Sequence, residues 1–293
     1  MKFMNWSTLK NIFFWSAAVL GLYGLGCFCF VAFLRFQYPY MLNLGEPPLA
    51  QALGFFHEGN WPYRELSRPP FSLVPYGPVY LVLASWVKHL AAGPFVSGRV
   101  VTFLATLGTA LFIYLAARKA GARFSAALLA VLAFVCHTYT QRWGVQVNVD
   151  MAGVFFGFAA FYFFFSFVQG NFVSRQQLVT GILLSVAAFF TKSSMIAVPA
   201  AFFLILLIHR RYRLAAVFAA AEGLLLALIY LALNRATEGQ YFFHTSEIGH
   251  RLFFYQFIYR YWEDALRQGP LLAAVTLYVF AGMERAKKLS FFG

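Results

Sequence analysis

Charge is what this chain lacks most. Only 11% of its 293 residues are Asp, Glu, Lys or Arg, against about 25% in an ordinary soluble domain. A surface facing water cannot be assembled from so few. Acids are the scarcer sign, 10 against 23 basic residues. The three cysteines fall inside apolar runs, Cys27 and Cys29 in one and Cys136 in another, and no disulfide framework is visible. The six histidines, His57, His89, His137, His209, His244 and His250, form no HExxH or similar ligand spacing, so no zinc motif is present. There is no P-loop and no GxGxxG after a strand, which leaves a soluble nucleotide site without support. No basic tract with interleaved aromatics lies outside the apolar segments. The net charge of +13 therefore does not point to nucleic acid.

Apolar residues fill the space, at 61% of the chain, with 37 phenylalanines among them. Several runs reach the roughly 18–20 residues needed to cross a bilayer. The fold class that follows is an all-α integral membrane protein, a single transmembrane domain over residues 1–293. Hydropathy marks spans at 11–34, 76–92, 95–117, 123–141, 149–169, 177–191, 193–208, 214–233 and 269–283. Lys2 and Lys10 precede the first, which is longer than the ~7–15-residue core of a signal peptide, so it reads as an uncleaved helix.

Cytoplasmic loops collect Lys and Arg. The basic clusters are Lys2/Lys10, Arg118/Lys119/Arg123, Arg175, Arg210/Arg211/Arg213 and Arg285/Lys287/Lys288. Nine crossings scatter them over both faces. Eight crossings, with 76–92 lying flat, put every cluster inside. Twelve basic residues and one acid, Glu284, are then cytoplasmic, eleven basic residues and eight acids are outside, and Glu222 is mid-helix. The segment VYLVLASWVKHLAAG suits that role, because Lys88 and His89 interrupt it and Pro75, Pro78 and Pro94 bracket it. It is expected to be an interfacial helix. The prediction is about eight transmembrane helices, a cytoplasmic N-terminus, a large outer first loop (35–94) carrying interfacial helices, and a second outer loop (235–268).

This topology brings distant polar residues to one membrane face: Glu46, Arg64, Arg68, Tyr76, Arg99, Asp150 and Lys192. Each has two readings. Asp150 opens a helix and either faces its positive end or serves a site, since an ionised group entering an apolar run is costly. Lys192, in FFTKSSMIAVP, either snorkels at a helical hairpin or binds a lipid-linked phosphate. Arg99 shares those readings. Glu46 is either solvated or a base held at the surface by Pro47 and Pro48, which restrict the backbone.

From about Gly45 to Arg213 the chain resembles the membrane-embedded GT-C glycosyltransferases, in the branch of protein mannosyltransferases and lipid A aminoarabinose transferases. GEPPLAQALGFFHEGNWPYRE resembles the acidic first-loop motif and the Gly-x-x-Pro-Tyr element. SRPPFSLVPYGPVY resembles the Pro-rich stretch, VNVDMAGVFF the Asp at the fourth helix, FFTKSSMIAVP the Thr-Lys hairpin and HRRYR the basic turn after the sixth. The resemblance implies transfer of a sugar from a polyprenyl-phosphate carrier to a lipid, glycan or protein acceptor, at the outer face of a bacterial inner or plasma membrane. It implies Glu46 and Asp150 as catalytic, with Asp150 assisting or holding a divalent metal where one is used. It implies Lys192, Arg99, Arg68, Arg64 and Tyr76 as the residues around the carrier phosphate. Many members have Asp-Glu where this chain has Gly45-Glu46. Members usually also continue further, so the sequence reads as lacking the usual C-terminal part. Two rival functions remain at this stage, a transporter or flippase of lipid-linked sugars centred on Glu222, and a catalytically inactive membrane scaffold.

Overall fold

A computed structural model describes residues 6–67, 69–87, 93–247 and 263. Among the described residues the chain is helical throughout, with no strand. Four helices are long and apolar enough to span a bilayer on their own: α1 (Trp6–Gln37), α4 (Pro94–Lys119), α7 (Val149–Gln169) and α10 (Tyr212–Ala236). Between them lie α5 (Phe124–Cys136), α8 (Arg175–Phe189) and α9 (Ala197–Ile208), of 13, 15 and 12 residues. At ~1.5 Å per residue none of these three reaches across alone. The expected span at 269–283 lies outside the described residues, as do Arg68, residues 88–92 and most of the second outer loop.

The segment expected to lie flat contains α3 (Val79–Val87), whose nine residues extend only ~14 Å. It packs along α4. The loop before it holds a helix, α2 (Glu46–His57), where the sequence suggests only a backbone restricted by two prolines. Pro47 and Pro48 sit in its first turn, where a missing N–H breaks no helical bond. The expected span 123–141 is also broken. α5 stops at His137, and a short helix α6 (Thr138–Trp143) follows. His137 Nδ1 accepts the Tyr139 N–H, and Gln141 Nε2 donates to the freed carbonyl of Val135 and to the Gly24 carbonyl of α1.

Packing against α7 organises the bundle. The Phe164 and Phe202 rings stack at 4.0 Å between centroids, and Phe218 meets Phe202 edge-on at 4.9 Å, joining α7, α9 and α10. Small residues admit close helix approach: a β-carbon on Gly181 would lie 2.4 Å from the Phe164 ring, which sets α8 against α7. The same device works at the membrane surface. A β-carbon on Gly77 would lie 1.9 Å from the carbonyl oxygen of Phe190, and the Val79 N–H donates to that oxygen. The first loop is thereby pressed onto the end of α8.

The two ends of the bundle differ in charge. One end gathers the C-terminal ends of α1, α8 and α10 with the N-terminal ends of α4 and α7. The opposite end carries Arg118, Lys119, Arg123, Arg175, Arg210, Arg211 and Arg213 in its turns.

Candidate functional site

Among the described residues, two ion pairs at the end opposite the basic turns differ in access. Arg99, one turn into α4, pairs with Glu46 at the start of α2, and both side chains are 0% exposed. Asp150 at the start of α7 pairs with Lys192 at 2.5 Å, with side chains 43% and 32% exposed.

The buried pair is fully committed. A guanidinium has five N–H bonds to donate. Arg99 Nε donates to Glu46 Oε1 at 3.1 Å, and Nη2 to Glu46 Oε2 at 2.9 Å. Nη2 also donates to the Tyr40 carbonyl at 2.5 Å. Nη1 serves the carbonyls of Arg35 and Tyr38. All five are spent. Each Glu46 oxygen takes one further donor, Val147 N–H on Oε1 at 2.8 Å and Leu42 N–H on Oε2 at 2.6 Å. Four donors fill the four lone-pair positions of a carboxylate. Burial alone pushes the Glu46 carboxyl up, but Arg99 and the two backbone N–H groups more than offset it, and the net direction is down. These contacts correct two expectations. Glu46 does not wait at the surface as an accessible base, and Arg99 has no donor left for a phosphate.

The half-exposed pair is differently built. Asn148 caps α7, its Oδ1 accepting the Asp150 N–H at 2.7 Å, so Asp150 is held by its own backbone while its carboxylate faces outward. Lys192 follows the last turn of α8 and precedes a 3₁₀ turn (Ser193–Ile196) leading into α9. Ser193 and Ser194 are exposed beside it. Tyr76 belongs to the same neighbourhood, because the adjacent Gly77 packs on Phe190, two residues before Lys192. The Tyr76 carbonyl accepts the Tyr63 hydroxyl at 2.8 Å. Arg64 is exposed, its guanidinium 5.0 Å over the Phe55 ring.

Two residues of this region escaped the sequence reading. His244, in a π-type turn (Phe243–Glu247) beyond α10, is fully buried. Its Nδ1 accepts the Val74 N–H at 3.2 Å, and its Nε2 bonds the Arg64 carbonyl at 2.8 Å. A carbonyl only accepts, so the ring is the neutral tautomer protonated on Nε2, and burial holds its pKa below the usual value. Tyr80 donates its hydroxyl to the Gly98 carbonyl at 2.9 Å, fixing α3 on α4. No motif marks either residue. The opposite charges of Glu46 and Arg99, each isolated in an apolar setting, were the one available sign of their pairing.

The described residues do not build an all-protein metal cage. A calcium-type cage takes six or more oxygen ligands, several of them from carboxylates and carbonyls. Asp150 already holds an ammonium, and among the described residues no three His, Cys, Asp or Glu side chains gather. Glu222, on which the rival transporter reading would rest, is buried between α10 and α8, where Ser185 Oγ donates to it at 2.6 Å.

Comparison with known proteins agrees with this architecture. No curated protein and no solved structure matches the chain. The family model for dolichyl-phosphate-mannose-protein mannosyltransferases matches residues 74–234, more than half of the 293 residues. The match takes in Tyr76, Arg99, Asp150 and Lys192 and begins after Glu46. The chain belongs to the dolichyl-phosphate-mannose-protein mannosyltransferase family, and is a multi-pass membrane glycosyltransferase of a kind that draws on a lipid-linked sugar.

Proposed function

We propose that this protein transfers a sugar from a polyprenyl-phosphate carrier to an acceptor hydroxyl at the outer face of the membrane, and that Asp150 and Lys192 carry the reaction. The observation behind this reading is the contrast between the two ion pairs. Of the two ion pairs, the Asp150–Lys192 pair is the one that offers charged atoms to a substrate, at the bundle end away from the basic turns. Basic turns face the cytoplasm, which supports an outward site.

Asp150 takes the proton of the acceptor hydroxyl while that oxygen attacks the anomeric carbon. The bond from that carbon to the phosphate oxygen breaks, and its electron pair leaves with the carrier phosphate. The Lys192 ammonium balances the charge that develops there. A positioned base contributes roughly 10²–10⁴ in rate, and a charge aimed at the developing anion on the order of 10²–10³. The carrier phosphate and Asp150 compete for one ammonium, so donor binding is what releases the carboxylate. Tyr76 of the first loop lies near the site through its neighbour Gly77, and Arg64 and Arg68 are assigned to the carrier phosphate by resemblance alone.

The test is transfer from a panel of polyprenyl-phosphate sugars by protein in liposomes. Wild type turns over at least one donor, and Asp150→Asn and Lys192→Met each lose on the order of 10² or more while remaining folded. Full turnover by both variants would remove this site from the reaction.

A further inference from the structure

The buried pair has a consequence for the exposed one. Three consecutive residues lead into α7, and each is held by a different side chain. Asn43 Nδ2 donates to Gln146 Oε1. Glu46 Oε1 accepts the Val147 N–H. Thr102 Oγ1 donates to the Asn148 carbonyl at 3.2 Å. Asn148 in turn caps the Asp150 N–H. Thr102 lies one turn along α4 from Arg99, so α4 grips this segment twice, directly at Asn148 and through Glu46 at Val147. A β-carbon on Gly98 would lie 2.8 Å from the Val147 side chain, which leaves the segment no slack toward α4.

We propose that Glu46, locked by Arg99, is a positioning residue that sets where Asp150 stands. It touches neither donor nor acceptor. It acts through the Val147 N–H and the Asn148 cap. The acidic residue of the first loop thus serves the reaction from 0% exposure. Gly45 beside it is exposed and has φ −85° and ψ −20°, a conformation open to any residue, so the backbone does not require a glycine there. This inference rests on the reading that Asp150 works in the site.

Hydrogen exchange and steady-state kinetics on Glu46→Gln test it, with the full chain in liposomes. The expected result has two parts. Amides over 145–151 exchange at least about tenfold faster while those over 175–208 are unchanged, as for a local opening. Meanwhile kcat falls on the order of 10²-fold, the cost of a small misplacement, and KM for the polyprenyl-phosphate sugar stays within about twofold. Faster exchange across every helix, or an unchanged kcat, would overturn the proposal. Should Glu46→Gln fail to fold because Arg99 is stranded, Asn148→Ala removes the last link without leaving a buried charge, and the same paired signature is expected of it. Absence of turnover in wild type would count against the transferase reading. Unaltered exchange over 145–151 would count against the positioning role alone.

Discussion

At the scale of single residues, the two carboxylates near the first loop and α7 answer to opposite environments. Glu46 accepts four hydrogen bonds and sees no solvent, whereas Asp150 accepts one ammonium and stays partly open. Removing one member of a buried pair leaves the other charge uncompensated, at a cost of about 3–5 kcal/mol. Arg99→Met is therefore expected to lower the thermal unfolding midpoint strongly, and Lys192→Met hardly at all, because a half-exposed pair contributes ~1 kcal/mol or less. Acid should act in the same direction as Arg99→Met. The folded carboxyl of Glu46 is held below its ordinary value of 4.5. Its contribution is fully present above that value and drains away as pH falls through the lower folded one. Unfolding midpoints measured from pH 7 down to pH 3 should show this loss in wild type and a smaller one in Glu46→Gln. A wild-type midpoint unmoved by acid would count against the pair. The competition for Lys192 makes a separate prediction. Binding of a short-chain prenyl phosphate should tighten several-fold in Asp150→Asn, since the rival anion is gone. Weaker binding would mean that Asp150 helps to hold the ligand.

At the scale of elements, the long apolar runs were the easy part. The span predicted at 149–169 is α7 to the residue, and 95–117 falls within α4. α2 is hidden because Pro47-Pro48 looks like a stiff loop, when proline in a first helical turn is well tolerated. The break at His137 was hidden because hydropathy averages over it, while the structure satisfies the loose backbone groups with His137 and Gln141 side chains. The site was legible as a set of residues and not as pairs. Glu46 and Arg99 are 53 positions apart, and Asp150 and Lys192 are 42 apart. Only packing brings them together. The glycine at Gly77 belongs to this scale, because it joins the first loop to α8. Gly77→Ala would drive a methyl into the Phe190 carbonyl. The loop must then lift from the end of α8, and protease cleavage between residues 58 and 78 should rise severalfold. Unchanged cleavage would show that the contact does not secure the loop.

At the scale of the whole molecule, the separation of charge is the organising fact. Basic turns occupy one end of the bundle, and both ion pairs occupy the other. That asymmetry, set beside the family to which the chain belongs, supports the proposed outward-facing transfer. Vesicles of defined orientation test this most directly. Sugar transfer to an acceptor too polar to cross the bilayer is measured in right-side-out and inverted vesicles, for wild type and for Asp150→Asn. The account predicts transfer when the acceptor is supplied at the outer face, none when it is supplied at the cytoplasmic face, and loss of the signal in Asp150→Asn. Transfer confined to inverted vesicles, or an Asp150→Asn variant as active as wild type, would contradict it.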